Sequence, residues 1–349
     1  MHRASGRDET SSGCYSPRRM CELLGMDCNI PTDIVFSFRG FARRGGGTGP
    51  HEHGWGLCLY DGHAVRTFRE ANPAVDSKLV AFLHANAIAT KIGLAHIRQK
   101  THGGVSLANV HPFTRELWGR TFSFAHNGKV PSVRRLPLKG RFAPIGTTDS
   151  EHAFCWLLEQ IALRFRAYPR EPRALWKLVA KLGSELASHG TFNFLLSDAT
   201  YLYARCDTSL CHIVRKHPFS RATLSDEDVH IDFAAVTTPR DRVAVIATRP
   251  LTRDETWTIG APGTLWVFSA GLLRATLDSP QPLRVVKKQP RGTAWPRSTS
   301  SEPTPSAKTK RAQQPSKSPS ASRTRSTRPT AGTATTSASS ARARRVASP

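Results

Sequence analysis

Met20-Cys21-Glu22-Leu23-Leu24-Gly25-Met26 is the stretch on which the reading of this 349-residue chain turns, because an internal Met is followed directly by Cys. If translation began at Met20, removal of that Met would leave Cys21 with a thiol and a free α-amino group, a nucleophile carrying its own general base. An ordinary Cys is only partly ionised at neutral pH, so a base within hydrogen-bond reach is required. With residues 1–19 attached, the Cys21 nitrogen is an amide and is not basic. A polypeptide that keeps this leader is therefore expected to be inactive. Either Met20 is the start or the leader is removed by proteolysis; the leader shows no processing signature, which favours Met20.

Four further motifs follow in order. They are Ala95-His96-Ile97-Arg98-Gln99, Asn109-Val110-His111-Pro112-Phe113, Ala125-His126-Asn127-Gly128 and Gly146-Thr147-Thr148-Asp149-Ser150-Glu151. Together with Cys21 they resemble the class II glutamine amidotransferases, N-terminal-nucleophile hydrolases that release ammonia from glutamine. The resemblance runs from residue 20 to about 275 and is nearest to the bacterial subgroup whose amidotransferase domain has no synthase domain attached. It implies an α+β fold, a four-layer αββα sandwich of two antiparallel sheets between helical layers, with the N-terminal Cys at the end of a strand.

The resemblance also implies roles for individual residues. Cys21 is the nucleophile. Asn127 and Gly128 form the oxyanion hole, where a side-chain amide and a backbone N–H aim donors at the oxygen that becomes negative. Read alone, Asn-Gly after an apolar run is a hairpin-turn signal instead. Arg98 binds the substrate α-carboxylate through its planar fork of donors, and Asp149 binds the α-ammonium group. Thr148-Asp149-Ser150-Glu151 also fits a capping box, which would hold Asp149 at the first turn of a helix.

Two local features stand apart from this pattern. The Gly54-Trp55-Gly56 turn usually follows Asp in this subgroup, whereas His53 precedes it here, so His53 stays outside the expected site. His111-Pro112-Phe113 reads as a rigid wall beside the cleft, with Pro fixing the backbone and Phe supplying packing. The histidines include no His-Glu-x-x-His pair, and the seven cysteines show no metal-ligand spacing or disulfide framework, so no metal is expected. The glycine run 45–49 lacks the Lys-Ser or Lys-Thr ending of a phosphate loop, and no organic cofactor is implied.

Charge divides the chain. From Arg284 to Pro349 there are 15 Lys and Arg against Glu302 alone, so this segment carries +14 of the total +24; the leader adds +2 and residues 20–283 the remaining +8. We expect a leader over 1–19, one amidotransferase-like domain over 20–283, and a disordered basic tail over 284–349, rich in Ser, Thr, Pro and Ala and unable to bury enough apolar surface to offset chain entropy. Such a tail can act as a polyanion-binding arm. The absence of aromatics interleaved for base stacking favours a plain solvated extension. No stretch approaches a membrane span, and a cytoplasmic, soluble protein is expected.

Periodicity supplies the elements. Ile34, Phe38 and Phe41 have helical spacing within 33–42, although Val35 and Phe36 leave a strand open there. Helices are predicted at 75–84, after Thr148 with Ala153, Phe154, Leu157, Leu158 and Ile161 on one face, and at 173–188. Strands are predicted at 55–60, 64–69, 91–97, 121–125, 192–197, 200–205, 242–247 and 264–269.

The function expected is a glutamine amidotransferase-like amidohydrolase that cleaves the γ-carboxamide of glutamine through a Cys21 thioester. Its ammonia acceptor, if it has one, would be a separate synthase partner. Two alternatives stand beside it: a γ-glutamyl amide hydrolase acting on a larger substrate, and an inactive protein of the same fold that binds polyanions through its tail.

Overall fold

The apolar run that follows Cys21 becomes the central strand of a sheet. The computed structural model describes residues 21–100 and 104–280; the leader and the basic tail, with the expectations placed on them, lie outside these residues. All described residues belong to one compact unit that ends by Lys287. In chain order the elements are β1 (Glu22–Thr32), α1 (Val35–Arg43), β2 (Trp55–Asp61), β3 (Ala64–Glu70), α2 (Lys78–Ala85), β4 (Thr90–Ile97), β5 (Phe113–Leu117) and β6 (Arg120–Lys129). Then come α3 (Asp149–Arg164), α4 (Pro172–Ala187), β7 (Thr191–Ser197), β8 (Leu202–Cys206), β9 (Cys211–Lys216), β10 (Arg221–Thr223) and β11 (His230–Asp232). The last are α5 (Phe233–Val236), β12 (Arg242–Ala247), β13 (Thr258–Ile259), β14 (Thr264–Ser269) and β15 (Leu272–Asp278).

One antiparallel sheet has the order β13-β9-β12-β1-β4-β2-β3, and a second has β15-β14-β8-β7-β6-β5. Between them lies an apolar layer in which Leu23, Leu94 and Ile246 of the first sheet meet Ala125, Leu195 and Leu202 of the second. The outer face of the first sheet packs Leu24, Met26, Leu57 and Ile97 against Phe38 and Phe41 of α1 and Leu83 of α2. The outer face of the second packs Phe122, Phe124, Phe192 and Phe194 against α3 and α4, where the Phe124 and Phe154 rings stack at 5.0 Å. The four-layer α+β sandwich implied by the motifs is the architecture observed.

Local chemistry explains where the helices begin. Ser77 caps α2 by accepting the Val80 N–H at 3.0 Å, and Thr148 caps α3 by accepting the Glu151 N–H at 3.2 Å. Glu171 caps α4, with Pro172 in the first turn, where its missing N–H has no intrahelical use. The segment predicted over 33–42 resolves as helix from Val35 to Arg43, with Ile34 just before its start.

Two of the local readings fail. Asn127-Gly128 is not a hairpin turn: both residues lie inside β6, paired with Asn193 and Phe192 of β7, because the strand continues to Lys129. Trp55 and Gly56 are likewise strand residues of β2 rather than part of a turn, and the irregular backbone ends at Gly54.

Candidate active site

Register places the candidate nucleophile. β1 and β4 pair antiparallel, with Glu22 opposite Ile97 and Leu23 opposite His96, so the next step along the ladder sets Cys21 opposite Arg98. Strand alternation puts Cys21, Leu23, His96 and Arg98 on the face that looks toward the second sheet. The half-buried Cys21 is held just past the end of β4 by the backbone of one residue: the Gln99 N–H approaches Sγ at 3.3 Å, and the thiol donates to the Gln99 carbonyl at 3.5 Å. Burial pushes the Cys21 thiol up to about 11; the Gln99 N–H and the Arg98 charge act against that rise, and Glu22 adds to it. A thiol so placed is protonated at neutral pH and needs a base to attack.

Arg98 is buried, and burial lowers its proton affinity while the Cys21 thiolate would raise it. One of its nitrogens donates to the Gly104 carbonyl at 3.1 Å. The same carbonyl accepts from Asn109 Nδ2 at 3.0 Å, while Asn109 Oδ1 accepts the Thr147 N–H at 2.7 Å. Thr147 precedes the cap of α3. Asn109 thus ties the loop that carries Arg98's partner to the helix start that carries Asp149.

The second sheet supplies Asn127 and Gly128. Asn127 shares a strand face with Ala125, toward the first sheet. Its Oδ1 and Nδ2 are both buried and have no hydrogen-bond partner among the described residues. Its backbone carbonyl accepts from Asn193 Nδ2 at 3.0 Å, and Asn193 Oδ1 in turn accepts the N–H groups of Asp207, Thr208 and Ser209. The strand is therefore rigid under a side chain that stays unpaired. At Gly128 a Cβ would stand 1.9 Å from the Thr191 carbonyl oxygen, so only glycine allows β6 and β7 to close there.

Histidines lie near this end of the two sheets, with His126 on the outer face of β6 against Phe124 and Phe192. His126 donates from Nε2 to the Thr191 carbonyl at 3.0 Å, which leaves Nδ1 to accept from the Ser150 hydroxyl at 2.8 Å. The His96 ring lies close to the His126 backbone and 4.2 Å from the His111 ring, which meets the Phe113 ring at 4.3 Å in a tilted contact. Burial holds His96 and His111 well below the usual histidine range, helped at both by Arg98 and His126 and at His111 also by His96, so both are neutral. His111-Pro112-Phe113 does pack as a wall.

Asp149 opens α3 and has a structural task. Its Oδ2 accepts the Val130 N–H at 2.8 Å and its Oδ1 the Ser150 N–H at 2.9 Å, which joins the end of β6 to the helix start. Only half of the expected capping box forms. Glu151 turns away from Thr148 and accepts from Ile145 N, Gly146 N and Arg115, because those buried donors and a cation outcompete one backbone N–H. His53 lies beside the site through its backbone: its N–H donates to the Arg98 carbonyl at 3.1 Å, and its Nδ1 accepts from Lys100 N at 3.3 Å.

The structure brings Cys21 and Arg98 together on one sheet and Asn127 and Gly128 onto the facing sheet, with Asp149 fastened to the strand end just past Gly128. Sequence reading passed over Gln99, Asn109 and Ser150. All three lie inside the recognised motifs, which was the available signal. Among the described residues no group of three or more His, Cys, Asp or Glu could hold a metal ion. No described helix is long and apolar enough to cross a membrane.

The sequence profile of the family described as "Glutamine amidotransferases class-II" matches residues 20–291. The chain belongs to the class II glutamine amidotransferases. YafJ of Escherichia coli K12, which bears a provisional glutamine amidotransferase name, is 50% identical over 252 residues, covering 72% of this chain and 98% of YafJ. A similarly named Haemophilus influenzae protein is 42% identical over 259 residues, covering 74% of this chain and 87% of its own. Among solved structures, a predicted glutamine amidotransferase from Pseudomonas aeruginosa PA01 superimposes with a TM-score of 0.58 at 39% identity, covering 73% of this chain and all of that one. The amidotransferase motifs quoted from the sequence thus sit on the fold expected of that family.

Proposed function

We propose that the protein is a glutamine amidotransferase-like amidohydrolase that cleaves the γ-carboxamide of glutamine through Cys21. The observation that carries this reading is the placement of the Cys21 thiol against Gln99 and opposite Arg98, on the face that looks toward Asn127. In a chain starting at Cys21, the α-amino group takes the thiol proton as sulfur attacks the amide carbon. The Asn127 amide and the Gly128 N–H are the donors assigned to the resulting oxyanion, Arg98 to the substrate carboxylate and Asp149 to its ammonium group. Collapse breaks the C–N bond, and the proton held by the amine leaves with ammonia. Water then attacks the γ-glutamyl thioester and releases glutamate. We assign this chemistry to residues 20–283, with the basic tail outside it.

A larger γ-glutamyl amide is the second substrate reading. Val105, Leu107 and Ile145 are exposed apolar residues on the two loops that Asn109 ties together beside Arg98, and they suit an apolar substituent on the substrate. Comparing hydrolysis of glutamine with that of γ-glutamyl anilide separates the two readings. The test of the mechanism compares two proteins, one starting at Cys21 and one with residues 1–19 locked on, each with its N-terminus verified by intact mass. Glutaminase activity is expected only in the first, and full activity in the second would sink the mechanism.

A further inference from the structure

Glu22 follows the candidate nucleophile directly, and its side chain is only 4% exposed. One carboxylate oxygen accepts from Arg44 Nη1 at 3.2 Å; the other accepts from Arg249 Nε at 2.9 Å and pairs with Arg249 Nη2 at 2.7 Å. Arg44 is itself buried at the end of α1. Its Nε donates to Asp226 at 2.7 Å, and its remaining donors go to the carbonyls of Arg249 and Pro250. Arg44 at the end of α1 and Arg249 after β12 therefore hold the side chain of residue 22, and Asp226 in the loop between β10 and β11 holds Arg44. Two cations and two carboxylates balance there.

A cluster of this kind is a weak source of stability, because burying the charges offsets much of their attraction. Its position gives it another use. In a chain beginning at Cys21 a single residue projects beyond β1, and chain ends fray unless they are tied down. Leu23 is secured by its N–H to Thr248 Oγ1 and by its carbonyl to the Thr248 N–H. Glu22 is the last anchor before the nucleophile. By strand alternation its side chain lies on the opposite face from Cys21, so it clamps the strand end from behind without entering the cleft.

Building on the reading of Cys21 as an N-terminal nucleophile, we propose that Glu22, clamped by Arg44 and Arg249, is a positioning residue. It fixes Cys21 at the strand end, and its charge sets how readily the Cys21 thiol and amine give up protons. Among the described residues, two charged groups act directly on the thiol: Arg98, just past β4, which favours the thiolate, and Glu22, which opposes it. Behind Glu22 stand Arg44, Arg249 and Asp226; the nearby His96 is neutral.

The test uses the protein starting at Cys21, as wild type, Glu22→Gln, Glu22→Asp and Arg249→Gln. Iodoacetamide alkylation of Cys21 is followed against pH by mass spectrometry, alongside kcat and KM for glutamine. Removing the carboxylate charge should move the alkylation midpoint of Glu22→Gln to lower pH by about half a unit, and removing the guanidinium should move that of Arg249→Gln upward. Glu22→Asp keeps the charge but shortens the reach, so its midpoint should stay while kcat falls. In Glu22→Gln, kcat should fall about tenfold with KM changed less than about twofold. Midpoints that do not move in either charge-removing variant would overturn the inference. If Glu22→Gln fails to fold, Arg249→Gln, whose side chain is 53% exposed, carries the same test. Variants that alkylate with the expected shifts, while the wild type hydrolyses no amide, would reject the functional reading and leave the charge effect standing.

Discussion

The backbone N–H of Gln99 points at the sulfur of Cys21 from 3.3 Å. Gln99, just past the end of β4, therefore fixes the position of the thiol and offers a donor that a thiolate would use. Where the Cys21 nitrogen is a peptide nitrogen, no base is at hand, and the alkylation rate should climb with pH toward a midpoint of about 11. A protein starting at Cys21 should react at lower pH, because its amine can take the proton. Alkylation profiles of the two forms, read by mass spectrometry, check this.

Cys21→Ser keeps the geometry with a far weaker nucleophile, and Cys21→Ala removes it. Both should lose turnover by on the order of 10⁴-fold or more, as when a nucleophile is deleted elsewhere. Their melting temperatures should match the wild type, since the hydrogen bonds of the thiol among the described residues are those to Gln99. Glutaminase assays and thermal denaturation read the two arms separately.

Asn127→Ala removes a side chain whose polar atoms have no partner among the described residues, so the fold should survive. The transition state should lose about 2.7–4 kcal/mol, as for a single oxyanion donor, while Cys21 stays open to alkylation. Gly128→Ala should behave differently. A Cβ placed 1.9 Å from the Thr191 carbonyl forces β6 from β7, and urea unfolding should show a loss of several kcal/mol.

Arg98→Lys keeps the charge but loses the fork, and it also gives up the donor that holds the Gly104 carbonyl. Catalytic efficiency should drop by roughly 1.5–3 kcal/mol. Asp149→Asn should weaken substrate capture and also loosen the strand-to-helix junction by about 1 kcal/mol, since an amide nitrogen would face one of the two N–H donors that Asp149 accepts. Steady-state kinetics on folded variants would remove either residue from the site if nothing changed.

Asp27 gives a pH prediction away from the site. It is 1% exposed between the sheets, accepts the Gly271 N–H at 2.6 Å, and is pushed up to about 7 by burial. Below about pH 4 it is protonated in both folded and unfolded chains. As pH rises from there to about 7, only the unfolded chain releases the proton, so this group removes up to about 4 kcal/mol of stability, complete above pH 7. Asp27→Asn keeps an oxygen for Gly271 and has no proton to lose. Relative to wild type it should gain stability at pH 8 and little at pH 4, measured by urea unfolding at both.

Much of the site was legible because it is carried by short motifs at strand ends and helix starts. Cys21, Arg98, Asn127 and Asp149 each stand out by residue type within such a motif, and the α3 cap is readable from Thr148 onward. The Asn127-Gly128 pair shows the limit. Its local chemistry is that of a turn, and pairing with Asn193 and Phe192, far along the chain, makes it strand. β1 was hidden for a related reason: both its faces are covered, so its buried residues do not alternate and no period of two appears.

The sequence by itself determined which residue types were available for the chemistry, the family to which they belong, and the amphipathic helices, because those depend on local order and short spacing. The tertiary structure decided what each of those residues is bonded to. Only the register between β1 and β4 sets Cys21 opposite Arg98, only the facing of the two sheets brings Asn127 toward them, and only the convergence of α1 with the segment after β12 locks Glu22 behind the nucleophile. Those relations join residues as many as 227 positions apart. No local propensity encodes them; they follow from how two covered sheets bury their faces against each other.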